Sequence, residues 1–395
     1  MLHLLYVIPA LLPLYLIKIS VFTIPFTVLE LAIYALFLIW FFQKKETFSF
    51  KNFPWPPVAL LLAGLIVSTL FSQNQTISLG IMKGWFFASL VFAFVASQVL
   101  KTERQIKGVF AALVFGGAGI ALVGFYYFFI GDLTFDGRLQ AFYLSPNHMA
   151  MAVAPALLAG LWFLLSAKSS AEKAAWGLSS ALIFFAFYFT YSYAGWMAAF
   201  FGVLFLIFFS SVSKNSKIAI VGFLVFVALS LIVFQAGGEK FSNIFSERGQ
   251  FASRLTIWTA AAELIKEHPI VGIGPGMFQE EYLALQPQFP PYLEWAVPQP
   301  HNVFLAFWLQ TGIFGLIAFI WLLILFFKRG FEMIKKDSGT AVLCLSLMIY
   351  ILLHGLVDTT YWKNDLAVIF WLTVFVNFRE LQSQTVKKSV LSVDE

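Results

Sequence analysis

The sequence is poor in charge. Asp, Glu, Lys and Arg make up only 11% of its 395 residues, against about 25% in an ordinary soluble domain, so water is excluded as the main solvent of its surface. Cysteine is nearly absent: Cys344 stands alone inside an apolar run, which excludes disulfides within the chain and thiolate metal sites. The five histidines never take up metal-ligand spacing with carboxylates nearby, so no metal is expected. Internal repeats, heptads and low-complexity tracts are missing as well. The first apolar run lacks a basic leader and a small-residue cleavage site, and is read as a retained span.

What the chain has is hydrocarbon. Apolar residues reach 60%, with 48 Phe and 12 Trp, and mean hydropathy is +0.85; such a composition suits lipid-facing surface and interfacial belts. Apolar windows of about 17–25 residues mark spans near 4–20, 24–42, 56–72, 77–100, 106–130, 147–166, 174–191, 194–211, 217–236, 302–327, 340–357 and 364–380. The expected fold is therefore all-α: a polytopic integral membrane protein of about 12 transmembrane helices, with residues 1–395 forming one transmembrane domain. The net charge of +5 gains meaning from its placement. With a cytoplasmic N-terminus, the inner loops carry Lys44, Lys45 and Lys51, then Lys101, Arg104 and Lys107, then Lys168 and Lys173. Lys214 and Lys217, Lys328 to Lys336, and Arg379 to Lys388 complete the set. Every inner loop is basic, as the positive-inside rule requires. Both termini are thus expected in the cytoplasm, and the basic balance points to a bilayer rather than to nucleic acid. The short turn YSYAG at 191–195 predicts that spans seven and eight pack as an antiparallel pair.

One stretch breaks the pattern. Residues 237–301 form a large extracytoplasmic loop between helices 9 and 10, far longer than the usual connection of about 4–6 residues, and are expected to cap an active site. Ser253 is the expected N-cap of a helix over Arg254–His268, with Leu255, Trp258, Ala262 and Ile265 on one face; Pro269 and Gly272 end it. Arg254 in the first turn adds a cation to an already positive helix end, an arrangement that suits a docked phosphate; an exposed arginine in water is the plain alternative. Gly272-Ile273-Gly274-Pro275-Gly276 has no preceding strand in a βαβ unit, so it reads as a tight turn and not as a nucleotide loop. The run Tyr282–Trp295, aromatic and proline-rich, is expected to shape acceptor entry.

His301 follows Pro298-Gln299-Pro300 at the start of the tenth span, where an imidazole of near-neutral pKa can take a proton from a hydroxyl. A histidine that binds a loop carbonyl is the competing reading. Lys83 is an ionisable group at membrane depth, functional by default unless it snorkels to the interface. Arg138 lies in the other outer segment, residues 131–150, and His148 follows Pro146-Asn147 at a helix start there. Asp358 and Lys363 flank the last outer turn and are expected to pair with each other.

Three local patterns resemble the O-antigen ligase and polymerase superfamily. GRLQAFYLSPNHMA is similar to its Arg…Pro-Asn segment. SRLTIWTAAAELIKEHPIVGIGPGMF resembles its loop helix and glycine turn, and HNVFLAFWLQTGIFGL its His-Asn…Gly-x-x-Gly motif. The resemblance implies transfer of a glycan from a polyprenyl diphosphate donor to an acceptor hydroxyl outside the cytoplasmic membrane of a bacterium. It implies inversion at the sugar and no metal, nucleotide or other cofactor. The acceptor is a lipid-linked sugar for a ligase, a growing glycan for a polymerase, or a protein hydroxyl for an O-oligosaccharyltransferase. Carried over by motif, Arg254 holds the leaving diphosphate and His301 activates the acceptor. The family often has Ser-Arg where this chain has Ser192-Tyr193, so Arg138 or Lys83 is expected to complete the diphosphate site, with Tyr193, Asn302, His148 and Asn147 in support. A diphosphate leaving group needs no strong acid, which agrees with the lack of a glycosidase-type carboxylate pair.

Two other classes remain open on the residues. A transporter calls for charged or broken helices near the midplane and repeated halves, whereas here polar residues gather at one face. A purely structural scaffold leaves the polar loop unexplained.

Overall fold

Proline decides how the chain begins. In the computed structural model, which describes residues 1–21, 24–43, 53–236, 238, 241, 246, 249–290 and 297–379, the first window is not one continuous helix. Helix α1 covers Leu2–Ala10, a 3-10 turn covers Leu12–Leu16, and strand β1 (Lys18–Val21) pairs antiparallel with β2 (Ile24–Thr27). Pro9 and Pro13 each remove an N–H and crowd the preceding turn, while Ile19, Val21 and Ile24 favour extended backbone. The expectation of an all-α chain is corrected to that extent.

The later windows all hold helix. Helices α2 (Val28–Gln43) and α3 (Trp55–Leu70) come first. A continuous run over 75–99 follows, made of α4 (Gln75–Ile81), a π-helical turn (Met82–Phe87) and α5 (Ala88–Val99). Next are α6 (Glu103–Phe129), α7 (Pro146–Ser166), α8 (Ser170–Phe189), α9 (Tyr193–Phe209) and α10 (Lys214–Gln235). Helices α11 (Gln250–Glu267) and α12 (Phe278–Leu285) belong to the polar stretch, and α13 (Val303–Ile334), α14 (Gly339–Gly355) and α15 (Asn364–Phe378) close the chain. Among the described residues five helical runs are long and apolar enough to cross a membrane: 75–99, α6, α7, α10 and α13. Together with shorter apolar helices they make a polytopic membrane protein. Lys44, Lys45, Lys51, Lys387, Lys388 and residues 291–296 of the proline-rich run lie outside the described residues.

Helix α7 sits at the centre, packed against α6, α8, α9 and α14. The turn between α8 and α9 does not make them a packed pair. They touch near the turn, where Tyr188 stacks on Trp196 at 5.0 Å, but α8 lies on α6 and α7 while α9 lies on α14 and α7. Tyr191 at φ 46° turns the chain in the left-handed region, and the apolar faces then find different neighbours.

The tenth window is a helix with a break. Gly312 in α13 has φ 69°, and Ile313 N–H donates to the Ile270 carbonyl at 3.0 Å while Ile273 N–H donates to the Leu309 carbonyl at 2.7 Å. The glycine turn at 272–276 therefore plugs the gap. A β-carbon on Gly272 or Gly312 would run into a carbonyl oxygen of the opposing segment, and both have positive φ, so these two positions need glycine. A broken helix is one feature that the transporter class calls for, but here the chain's own turn fills the break.

Helix α11 begins after Gly249, ahead of the expected cap at Ser253, which is instead buried inside the helix. Its buried face is Ser253, Ile257, Ala260, Ala261 and Leu264, packed with Met277, Phe278, Tyr282, Val297 and Leu309. The expected stripe is corrected: Leu255 and Ala262 are exposed. Packing on α12 and α13, rather than helical periodicity alone, selects the face. Segments 131–147, 190–192, 249–290 and 297–302, and 356–363 are joined by hydrogen bonds at one end of the bundle.

Candidate active site

The tenth window starts with two residues held hard in place. Asn302 caps α13, its Oδ1 accepting from the N–H groups of Phe304 at 2.9 Å and Leu305 at 3.1 Å, and its Nδ2 donates to the Leu356 carbonyl at 3.0 Å. That cap satisfies helix donors left free at the N-terminus. His301, one residue earlier, has φ 47°, a strained conformation for a non-glycine residue. Its carbonyl accepts from Trp258 Nε1 of α11 at 3.3 Å. The backbone is thus pinned from both sides, and the ring is directed at Asp358, with Nδ1 to Oδ1 at 3.3 Å. The histidine side chain stays 26% exposed while the aspartate's is only 5% exposed.

Asp358 is the hub. Besides His301, its Oδ1 accepts from its neighbour Thr359 N–H at 2.8 Å, and its Oδ2 accepts from Asn147 Nδ2 at 3.0 Å. Burial alone raises a carboxyl pKa, but the opposing charge and hydrogen bond of His301, with His354 and Arg254 beyond, hold Asp358 well below the usual carboxylate range. It is a carboxylate at any physiological pH. The expected pairing with Lys363 does not form. Lys363 precedes α15 with its ammonium near the ring of Trp85 at 5.9 Å, and the aspartate faces the histidine instead.

Asn147 carries the network onward. Its Oδ1 accepts from Arg138 NH2 at 2.6 Å, and Arg138 Nε donates to the Thr190 carbonyl at 2.7 Å. Burial lowers the Arg138 pKa, partly offset by Asp136 and Asp358 and reinforced by Arg254; a guanidinium remains charged all the same. Arg254 reaches the same spot from α11, with Nε donating to the Val357 carbonyl at 2.8 Å and NH1 to the Gln250 carbonyl at 3.3 Å. It lies beyond the first turn of its helix, so the expectation that it combines with free helix N–H groups is corrected. Its role follows from its reach to the residue before Asp358. These anchors of both arginines are neutral oxygens, which orient a guanidinium without cancelling its charge.

Four of the residues singled out in the sequence therefore converge: Arg138, Asn147, Arg254 and His301. Others are engaged differently. Tyr193 donates to Gln235 Oε1 at 3.2 Å and lies within electrostatic reach of Arg138. His148 is buried against Asp365 at 3.3 Å. Lys83 forms an ion pair with Glu30 at 2.6 Å, donates to the Pro25 carbonyl at 2.6 Å, and lies 3.7 Å from the Phe26 ring centroid. Gly84 lets this cluster close up, since a β-carbon there would meet the Glu30 carboxylate. Sequence reasoning missed Asp358 as the partner of His301; its only signal was a carboxylate in a short polar turn between two apolar runs.

Chemically, the arrangement offers a histidine with one ring nitrogen committed to a carboxylate and two positive groups beside it. With Nδ1–H donating to Asp358, Nε2 holds a lone pair able to accept a proton. Positive groups fixed by neutral dipoles suit an anion that gains charge in a reaction.

Comparison with known proteins bears on this arrangement directly. No curated protein matches the chain. The O-antigen ligase family model matches residues 178–320, a stretch that contains Tyr193, Arg254, the glycine turn and His301, while Arg138, Asn147 and Asp358 come from outside it. The motif-bearing arginine and histidine of that stretch thus meet in one polar network, and over residues 178–320 the match supports the resemblance to the O-antigen ligase and polymerase superfamily.

Proposed function

We propose that this membrane enzyme is a ligase-type glycosyltransferase that moves a glycan from a polyprenyl diphosphate to an acceptor hydroxyl. The observation that carries the reading is the continuous array His301–Asp358–Asn147–Arg138 with Arg254 beside it. His301 Nε2 takes the acceptor's proton as the acceptor oxygen bonds to the anomeric carbon. The carbon–oxygen bond to the diphosphate breaks on the opposite face, its electron pair passes to the diphosphate, and the sugar inverts. Arg254 and Arg138 hold the charge that develops there, and Asp358 keeps the imidazole oriented and stabilises its protonated form. No metal enters these steps. Lys83, spent on Glu30, is left out of the donor site, and Tyr193 stands where a further cation was expected.

The basic inner loops support cytoplasmic termini and about twelve crossings in a bacterial inner membrane, with residues 237–301 and the site on the outer face. A polymerase or a protein O-oligosaccharyltransferase shares the same site logic and differs in the acceptor alone. The test uses purified protein with a polyprenyl diphosphate-linked glycan and, in separate reactions, a lipid-linked sugar, a free glycan and a serine-containing protein. Ligase function predicts transfer to the lipid-linked sugar and its loss in His301→Ala and Arg254→Ala; transfer only to another acceptor reassigns the class, and no transfer to any refutes it.

A further inference from the structure

The catalytic array has a second histidine–aspartate pair directly behind it. Asn147 and His148 are adjacent in the first turn of α7, but they face different ways. Asn147 bridges Arg138 and Asp358, whereas His148 is 3% exposed and its Nε2 lies 3.3 Å from Asp365 Oδ2 and 3.4 Å from Oδ1. Asp365 is fully buried in the first turn of α15, where a carboxylate is favoured by the helix dipole. Tyr15, from the 3-10 turn, places its hydroxyl 3.3 Å from His148 Nε2 and 3.4 Å from Nδ1. Such burial keeps this pair from touching a substrate.

Its position gives it leverage. Asp365 anchors the far end of the segment that carries Asp358, and His148 anchors the residue that donates to Asp358. One contact therefore seats both partners of the Asn147–Asp358 hydrogen bond. Asn364, next to Asp365, adds a second tie: its Nδ2 donates to Glu30 at 2.9 Å and its Oδ1 accepts from Trp85 Nε1 at 2.8 Å. Resting on the reading that this array is catalytic, we infer that His148 and Asp365 are positioning residues, acting on the reaction through the orientation of Asn147 and hence of Asp358 and His301.

Positioning of this kind separates from plain structural support by coupling. Misplacement by a fraction of an ångström lowers turnover on the order of 10- to 100-fold, so Asp365→Asn is expected to lower kcat by that factor with KM nearly unchanged. In an Asn147→Ala background, where the bridge is already gone, Asp365→Asn is expected to lower kcat less than twofold further. Equal losses in both backgrounds would overturn the inference, because independent effects multiply. His148→Gln serves in the same cycle if Asp365→Asn does not fold, and Asp365→Glu is expected to recover part of the loss. Should the wild type transfer no glycan, the functional reading fails on its own, and the same cycle is then read in melting temperature: non-additivity between positions 147 and 365 upholds the positioning link, and additivity overturns it.

Discussion

Two sets of cations lie at the same end of this bundle, and they are held in opposite ways. Lys83 meets a buried carboxylate, a backbone carbonyl and an aromatic face, so its charge is consumed by the protein. Arg138 and Arg254 are anchored through carbonyl and amide oxygens, with the nearest buried carboxylate, Asp358, already engaged by His301 and Asn147. The lesson is that proximity to the site does not make a cation functional. What matters is whether its partners cancel the charge or only orient it.

His301→Ala is the strongest way to break the comparison. Loss of a positioned base lowers transfer by roughly 10²–10⁴-fold, measured as initial rate with donor in excess, while the circular dichroism of the helices stays unchanged. Arg254→Ala comes next, expected to lower transfer by about 10²–10³-fold by analogy with loss of a charge-stabilising donor. Arg254→Lys should recover little, since an ammonium lacks the planar fork that reaches both Val357 and an anion. A full rate in Arg254→Ala would erase the distinction between the two sets.

Asp358→Asn sharpens it. An amide leaves the size of the side chain but removes the charge that orients His301, and turnover is expected to fall about 10- to 100-fold. The variant also tests linkage. A carboxyl held below its ordinary pKa contributes stability that is fully present above the unfolded value of about 4 and is lost as pH falls through the lower folded value. The stability gap between wild type and Asp358→Asn, followed by melting temperature against pH, should therefore be constant near neutrality and close at strongly acidic pH. A gap that opens in acid would contradict the assignment.

Lys83→Ala has the smallest expected effect on transfer, within about twofold. It should instead destabilise the protein by on the order of 2 kcal/mol, because it leaves the buried Glu30 carboxylate short of a partner, with a discount for the partial exposure of the lysine. Glu30→Gln added to Lys83→Ala should restore part of that loss. A large loss of transfer in Lys83→Ala, with stability intact, would return it to the donor site.

Much of the fold was legible because hydrocarbon length is a local property. The windows over 56–72, 106–130 and 147–166 coincide with α3, α6 and α7. The first window does not hold one continuous helix because its two prolines barely lower a hydropathy sum yet interrupt a helix. The break at Gly312 escaped because the glycine lies in an otherwise apolar run, and only the arrival of the 270–276 turn explains it. In the site, His301 and Arg254 stood out as polar groups beside apolar runs. Asp358 did not, since Lys363 five residues on offered an equally good local partner.

Taken alone, the sequence determined that this protein is a helical membrane chain with its chemistry gathered in polar connections, because solvent preference and motif spacing are written residue by residue. Only the tertiary structure decided which charges cancel and which remain open. Arg138, Asn147, Arg254, His301 and Asp358 come from segments far apart in the chain, and a hydrogen bond between them depends on where helices cross, which no local pattern encodes.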